Sequence, residues 1–254
     1  MNGKRDTTAF SCSETMASVV KGLLDLVYPP ACLLCKQNTL DEKGAHLCSR
    51  CSGFVTYIKS PRCQKCGCAL EPAAGLEDRI CGNCLRKPPA FDSVESLVCY
   101  REPVSGLLHR LKYHGDTSVI SGICELASVV TVSEQIRQCD LIIPVPLHRK
   151  RLKQRGLNQS LVLAAAIFQK EKSRIVPDLL IRKKNTKSQT GLDGAARRKN
   201  LRNVFQVKNV ERIVGKRICV IDDVFTTGTT INECAKTLKK AGAKQVHAWT
   251  FSRV

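Results

Sequence analysis

The chain has 254 residues, 43% of them hydrophobic, and a formal charge of +19. That composition excludes a chain too polar to fold, and no apolar run reaches the roughly 18 residues that a membrane-spanning helix needs. Fifteen cysteines would suit a secreted disulfide scaffold, but eight of them fall in Cys-x-x-Cys pairs, a metal-knuckle pattern that fits a reducing cytoplasm.

In chain order, residues 1–30 form an N-terminal segment. Its start lacks the apolar core and cleavage site of a secretory signal. "MASVVKGLLDLV" (16–27) carries apolar side chains at 16, 19, 20, 23, 24 and 27, a helical stripe stopped by "YPP".

Residues 31–88 are poor in apolar runs and rich in Cys, Gly and Pro, so metal binding must supply the missing burial energy. The pairs are Cys32/Cys35, Cys48/Cys51, Cys63/Cys66 and Cys81/Cys84. Gaps of 12 and 14 residues suit two closed tetrahedral Zn2+ sites. One would be Cys32, Cys35, Cys48 and Cys51, the other Cys63, Cys66, Cys81 and Cys84. Spacing alone leaves an interleaved pairing open. Cys68 is read as a spare neighbour of Cys66.

After the linker "KPPAFDS", residues 89–254 alternate strands and helices. Strands are expected at 93–100, 140–147, 180–184, 204–207, 217–222 and 245–254. Helices are expected at 103–115, 118–131, 157–171 and 229–243. This is an α/β pattern, with a mostly parallel sheet covered on both faces. Between Arg149 and Arg217 there are 20 Lys/Arg against 4 Asp/Glu, a basic zone suited to a polyanion.

"CVIDDVFTTGTT" (219–230) places two acids where a buried strand should end, followed by threonines around one glycine. Backbone N–H groups, hydroxyls and a helix start suit a phosphate there. Asp222 and Asp223 suit hydroxyl donors or a hydrated Mg2+. A phosphate near a diol is a ribose 5-phosphate.

The stretch resembles the phosphoribosyl pyrophosphate (PRPP) loop of type I phosphoribosyltransferases, with Phe225 where an aliphatic residue is usual. "IIPVPLHRKRLKQRGLNQSLVLA" (142–164) and "RKKNTKSQTGLDGAARRKNLRNVF" (182–205) resemble signature segments of the ComF/ComFC family. That family joins a zinc domain to a phosphoribosyltransferase-like domain and is associated with DNA uptake in natural transformation. The resemblance covers the chain from about Cys32 onward and implies a role for each matched residue. Asp222, Asp223, Thr226, Thr227, Gly228, Thr229 and Thr230 would bind PRPP, with the two acids at the reacting centre. Leu147, His148 and Arg149 would contact the diphosphate, and Arg155, Asn158 and Gln159 would orient that loop. Thr186, Gln189, Arg197 and Asn200 would belong to a flap over it. Mg2+ would accompany PRPP. Segment 91–140 would stand in for a base-selecting hood, yet no specificity motif is legible in it.

The resulting expectation is a cytoplasmic, PRPP-binding ComF-family protein that acts in DNA uptake and leans toward transfer of a phosphoribosyl group to an unknown acceptor. Single-stranded DNA and competence-machinery proteins are its expected partners. The alternative is a non-catalytic PRPP sensor or a single-stranded-DNA adaptor.

Overall fold

The computed structural model of the chain describes residue 22 and residues 24–42, 45–72, 79–184 and 203–254. Most of the helix expected over 16–27 lies outside the described residues, as do Thr186, Gln189, Arg197 and Asn200.

The cysteine-rich part is an internal repeat. Ala31 bridges Asn38 and, 31 positions on, Arg62 bridges Ala69. Cys32 N donates to Gln37 O, as Cys63 N does to Cys68 O. Each knuckle turns through a left-handed residue, Lys36 (φ 62°) and then Gly67 (φ 69°). The second Cys-x-x-Cys of each unit sits at the start of a one-turn helix, α1 (Ser49–Gly53) and α2 (Gly82–Arg86), with Cys48 and Cys81 as their N-caps.

Beyond the linker, β1 (Ser93–Cys99) leads through α3 (Val104–Tyr113), α4 (Val119–Ser128) and the short α5 (Glu134–Arg137) to β2 (Leu141–Pro144). Then follow α6 (Arg149–Arg155), α7 (Gln159–Ile167), β3 (Leu180–Arg182), β4 (Phe205–Val207), β5 (Arg217–Phe225), α8 (Thr229–Lys240) and β6 (Gln245–Arg253). The main sheet is four-stranded in the order β1-β6-β5-β2, and every pair is parallel.

Side chains alternate across the central strands, as a pleat requires. Cys219, Ile221, Trp249 and Phe251 face a core shared with Leu107, Leu111, Ile123 and Leu163 of the helices α3, α4 and α7. Ile218, Val220, Val246 and Ala248 face the other core, with Ile231 and Leu238 of α8. A sheet covered on both sides explains why these strands read as continuous apolar runs.

The structure departs from the sequence expectations in several respects, among them two helices not expected, α5 and α6, and a β2 that ends at Pro144 rather than at 147. The strand expected to stop at 222 runs to Phe225, because β6 stays beside it: Asp222 pairs with Thr250, Val224 with Ser252 and Phe225 with Arg253. The short strands β3 and β4 do not join the main sheet. They pair antiparallel with each other at the base of segment 185–202. The helix expected over 157–171 ends at Ile167, since Phe168 is buried edge-on against Trp249, with ring centroids 5.8 Å apart.

The ribbons share the core of the larger part. Cys32, Leu47, Cys48 and Val55 of the first ribbon are buried in the helix-side core, and Arg110 of α3 donates to Leu33 O while pairing with Asp116 at 2.7 Å. The second ribbon docks on β1. Val94 N donates to Lys65 O at 2.8 Å, and a Cβ at Gly67 would lie 2.4 Å from Val94 O. Gly67→Ala therefore meets both a left-handed backbone and a main-chain wall. It is expected to lower stability by about 1–3 kcal/mol, read as a lower chemical-denaturation midpoint. An unchanged midpoint would show that the ribbon is not docked this way.

Candidate phosphate and metal sites

β2 pairs with β5 only through Ile221, opposite Pro144. Val145 N still donates to Ile221 O at 2.9 Å, and then the chain turns away into α6. Beyond that point β5 has β6 on one side and a crevice on the other. Asp222 and Asp223 stand on this open edge, past the carboxyl end of β2, where ligands bind in open α/β sheets.

The crevice holds a cavity of about 270 Å3 lined by both acids, by Thr226 of the following turn, by Thr230 in the first turn of α8, and by Leu147. Four cations also line it: Lys112, Arg151, Arg155 and Arg182. Asp222 Oδ1 accepts from Ser160 Oγ at 3.0 Å and from Asp223 N at 3.0 Å. Asp223 Oδ1 accepts from Val224 N at 2.9 Å, and Lys112 Nζ lies 3.8 Å from its Oδ2. Burial, reinforced by the charge of Asp223, pushes the Asp222 carboxyl up to about 7, while the Ser160 hydrogen bond and Lys112 oppose that shift. Arg182 is itself buried, and its pKa is lowered by desolvation and by neighbouring Arg151. A guanidinium remains charged there.

The turn after β5 packs on its own aromatic residue. Gly228 has φ +70°, and a Cβ on it would lie 2.6 Å from Phe225 Cζ. Only glycine fits both conditions. Thr227 Oγ1 and Thr229 Oγ1 share a hydrogen bond of 2.8 Å, and α8 begins immediately after Gly228.

The residues expected at the diphosphate loop divide. Leu147 lines the cavity. His148 is the N-cap of α6, its Nδ1 accepting from Lys150 N at 3.2 Å. Arg149 is exposed at the first position of α6, and the α6 guanidiniums that line the cavity are those of Arg151 and Arg155, one turn apart. Asn158 caps α7 and donates to Val145 O at 3.2 Å, tying the helix to the loop. Arg155 donates to Gln159 Oε1 at 3.4 Å and lies over the Tyr113 ring at 5.7 Å. Lys112, Ser160, Arg151 and Arg182 were not singled out from the sequence. Arg151 becomes visible only with the helix over Arg149–Arg155, which was not expected and which puts 151 and 155 on one face.

The cysteines converge as two clusters. The sulfurs of Cys32, Cys35, Cys48 and Cys51 all lie within 4.8 Å of one another, and so do those of Cys63, Cys66, Cys68 and Cys81. The pairs Cys35–Cys48 (3.6 Å) and Cys66–Cys81 (3.8 Å) match the spacing of about 3.8 Å set by tetrahedral Zn–S bonds of about 2.3 Å. All-thiol donor sets at this separation fit zinc with neighbouring knuckles paired; the first cluster is the set expected from the sequence, whereas in the second Cys68, expected to be a spare, stands in the place given to Cys84. Cys84 is buried beside them, and that burial, reinforced by Cys66 and Cys81, pushes its pKa up. The repeat explains the fifth thiol. Cys68 occupies the position of Gln37, whose side chain faces Cys35 at 3.7 Å in the first ribbon.

Residues 23–85 match the double zinc ribbon domain and residues 157–253 the phosphoribosyl transferase domain. The chain is 32% identical to Competence protein F of Haemophilus influenzae, over 87% of this chain and 96% of that one. It is 30% identical to the DNA utilization protein YhgH of Escherichia coli strain K12, over 90% and 99% of the two chains. Identity to Competence protein ComFC of Bacillus subtilis is 26%, over 84% and 85%.

Five thiols around a four-coordinate ion make either Cys68 or Cys84 dispensable, whereas the first ribbon has no reserve. Native mass spectrometry is expected to find two zinc ions in Cys68→Ser and in Cys84→Ser, and one in the double variant. Cys35→Ser alone is expected to lose one. Loss of zinc from either single variant of the second ribbon would remove the redundancy.

Proposed function

The chain belongs to the ComF family of competence and DNA-utilization proteins, and on that premise we propose that it binds PRPP with Mg2+ in the crevice between β5 and β2. The observation that carries this reading is the convergence of Asp222 and Asp223, four cations, Thr226 and Thr230 on a single cavity. The carboxylates accept from the ribose hydroxyls. The turn and the start of α8 receive the 5-phosphate, and Arg151, Arg155, Arg182 and Lys112 face the diphosphate. Mg2+ would be held by the substrate with Asp222 and Asp223, and would neutralise charge on the departing diphosphate.

The chemistry this arrangement supports is displacement at the anomeric carbon. A nitrogen nucleophile forms the C–N bond as the C–O bond to diphosphate breaks, through an oxocarbenium-like state. The cations stabilise the leaving group, and the nucleophile's proton passes to a base or to solvent. Release of pyrophosphate on addition of candidate acceptors separates turnover from binding alone.

A role in DNA uptake agrees with the names of the relatives and with α6. While Arg151 and Arg155 line the cavity, Arg149, Lys150 and Lys153 are exposed on its outer face. We assign that face to the phosphate backbone of single-stranded DNA.

Asp222 must be ionised to accept two hydroxyls. Because its pKa stands near 7, PRPP affinity is expected to fall about tenfold per pH unit below that value. Asp222→Asn with Asp223→Asn should abolish binding by calorimetry. The raised folded pKa also means that stability is lost as pH climbs from about 4 through about 7. Asp222→Asn escapes that cost, so at pH 8 it should be more stable than the parent, by at most about 4 kcal/mol for a carboxyl raised from 3.8 to about 7. Undiminished PRPP binding by the double variant would reject the site.

A further inference from the structure

A larger cavity, about 840 Å3, separates the Thr-Gly turn from the second ribbon. Thr226, Thr227, Gly228 and Thr229 form its inner wall, and Arg86 and Lys87 of the ribbon its outer wall. Lys236 and Arg253 complete the basic lining, and Lys236 is already paired with Glu233 at 2.6 Å. Arg86 donates to Asn83 Oδ1 at 2.7 Å. Among the described residues neither Arg86 nor Lys87 makes an ion pair. Two cations without counterions among the described residues therefore face a hydroxyl-rich turn across an open space.

The ribbon is fixed against this turn. Arg253 Nη1 donates to Cys66 O at 2.6 Å while its guanidinium lies 5.0 Å over the Phe225 ring. That ring is the one packed under Gly228. Phe91 meets the same ring edge-on, with centroids 6.2 Å apart, and Ala90 N donates to Asn232 Oδ1 of α8 at 2.7 Å. Arg86 and Lys87 follow directly on the cysteine pair of α2, so the metal fold of the ribbon sets where they stand.

We infer that the second zinc ribbon is the outer wall of the phosphate site, with Arg86 and Lys87 closing on a phosphomonoester held by the Thr226–Thr229 turn. The inference rests on the phosphoribosyl reading and extends it, since the binding site then spans both parts of the chain. A phosphate between the turn and two cations gains charge-assisted hydrogen bonds on the side that the turn leaves open. The diphosphate end of the ligand, at β2 and α6, gains nothing from the ribbon.

The test is calorimetry on the zinc-loaded full chain with two probes, ribose 5-phosphate and inorganic pyrophosphate. Arg86→Ala with Lys87→Ala should weaken ribose 5-phosphate at least tenfold, leave pyrophosphate unchanged and retain two zinc ions. Arg86→Lys alone should recover part of the loss. If the parent chain binds neither probe, the phosphoribosyl reading itself fails. If the parent binds both and the double variant holds ribose 5-phosphate equally well, only the wall is refuted. Loss of single-stranded DNA binding with ribose 5-phosphate intact would instead make the ribbon a nucleic-acid surface, which also overturns the inference.

Discussion

The site depends on a mismatch in strand length. β2 stops pairing with β5 at Pro144, while β6 accompanies β5 to Phe225. The last four residues of β5 are therefore held in register from one side only. Their backbone is ordered by hydrogen bonds to β6, and their other edge is free to meet a ligand. The ladder ends one bond later: Val145 N donates to Ile221 O, but the Val145 carbonyl then accepts from Asn158 and Asp223 N donates to Asp222 Oδ1 instead. Two carboxylates on a flexible loop would lose their mutual repulsion by moving apart. On a strand they cannot, and burial together with that repulsion holds the Asp222 pKa near 7.

Metal and apolar burial are not separate stabilising systems in this chain. The first ribbon contributes Leu47 and Val55 to the helix-side core, and its ligands Cys32 and Cys48 lie in the same cluster. The second contributes main-chain contacts to β1 and to Arg253. Loss of zinc would therefore loosen the sheet edge and the floor of the Thr-Gly turn as well as the ribbons. This coupling gives the ribbons a role in the site that does not require the metal to touch a ligand, as closed thiolate sites cannot.

Much of this was legible from local pattern. The apolar run of β5, the glycine that starts α8 and the four cysteine pairs each carry their reason in adjacent residues. Where the outcome depended on partners far along the chain, the sequence was silent. The extension of β5 to Phe225 needs β6 beside it, and the early end of α7 needs Trp249 to receive Phe168. Lys112, Ser160 and Arg182 reach the acids only through the fold. Cys68 is different, since the 31-residue knuckle repeat already contained it. Reading the repeat would have shown Cys68 facing the second metal site where the first ribbon has Gln37.

The central claim is that a sugar phosphate lies along the open edge of β5. The most direct measurement is a crystal structure of the zinc-loaded chain with PRPP and Mg2+. The account predicts ribose hydroxyls on Asp222 and Asp223, and the 5-phosphate on the turn that begins α8. PRPP bound away from these carboxylates, or no bound ligand at saturating concentration, would contradict it.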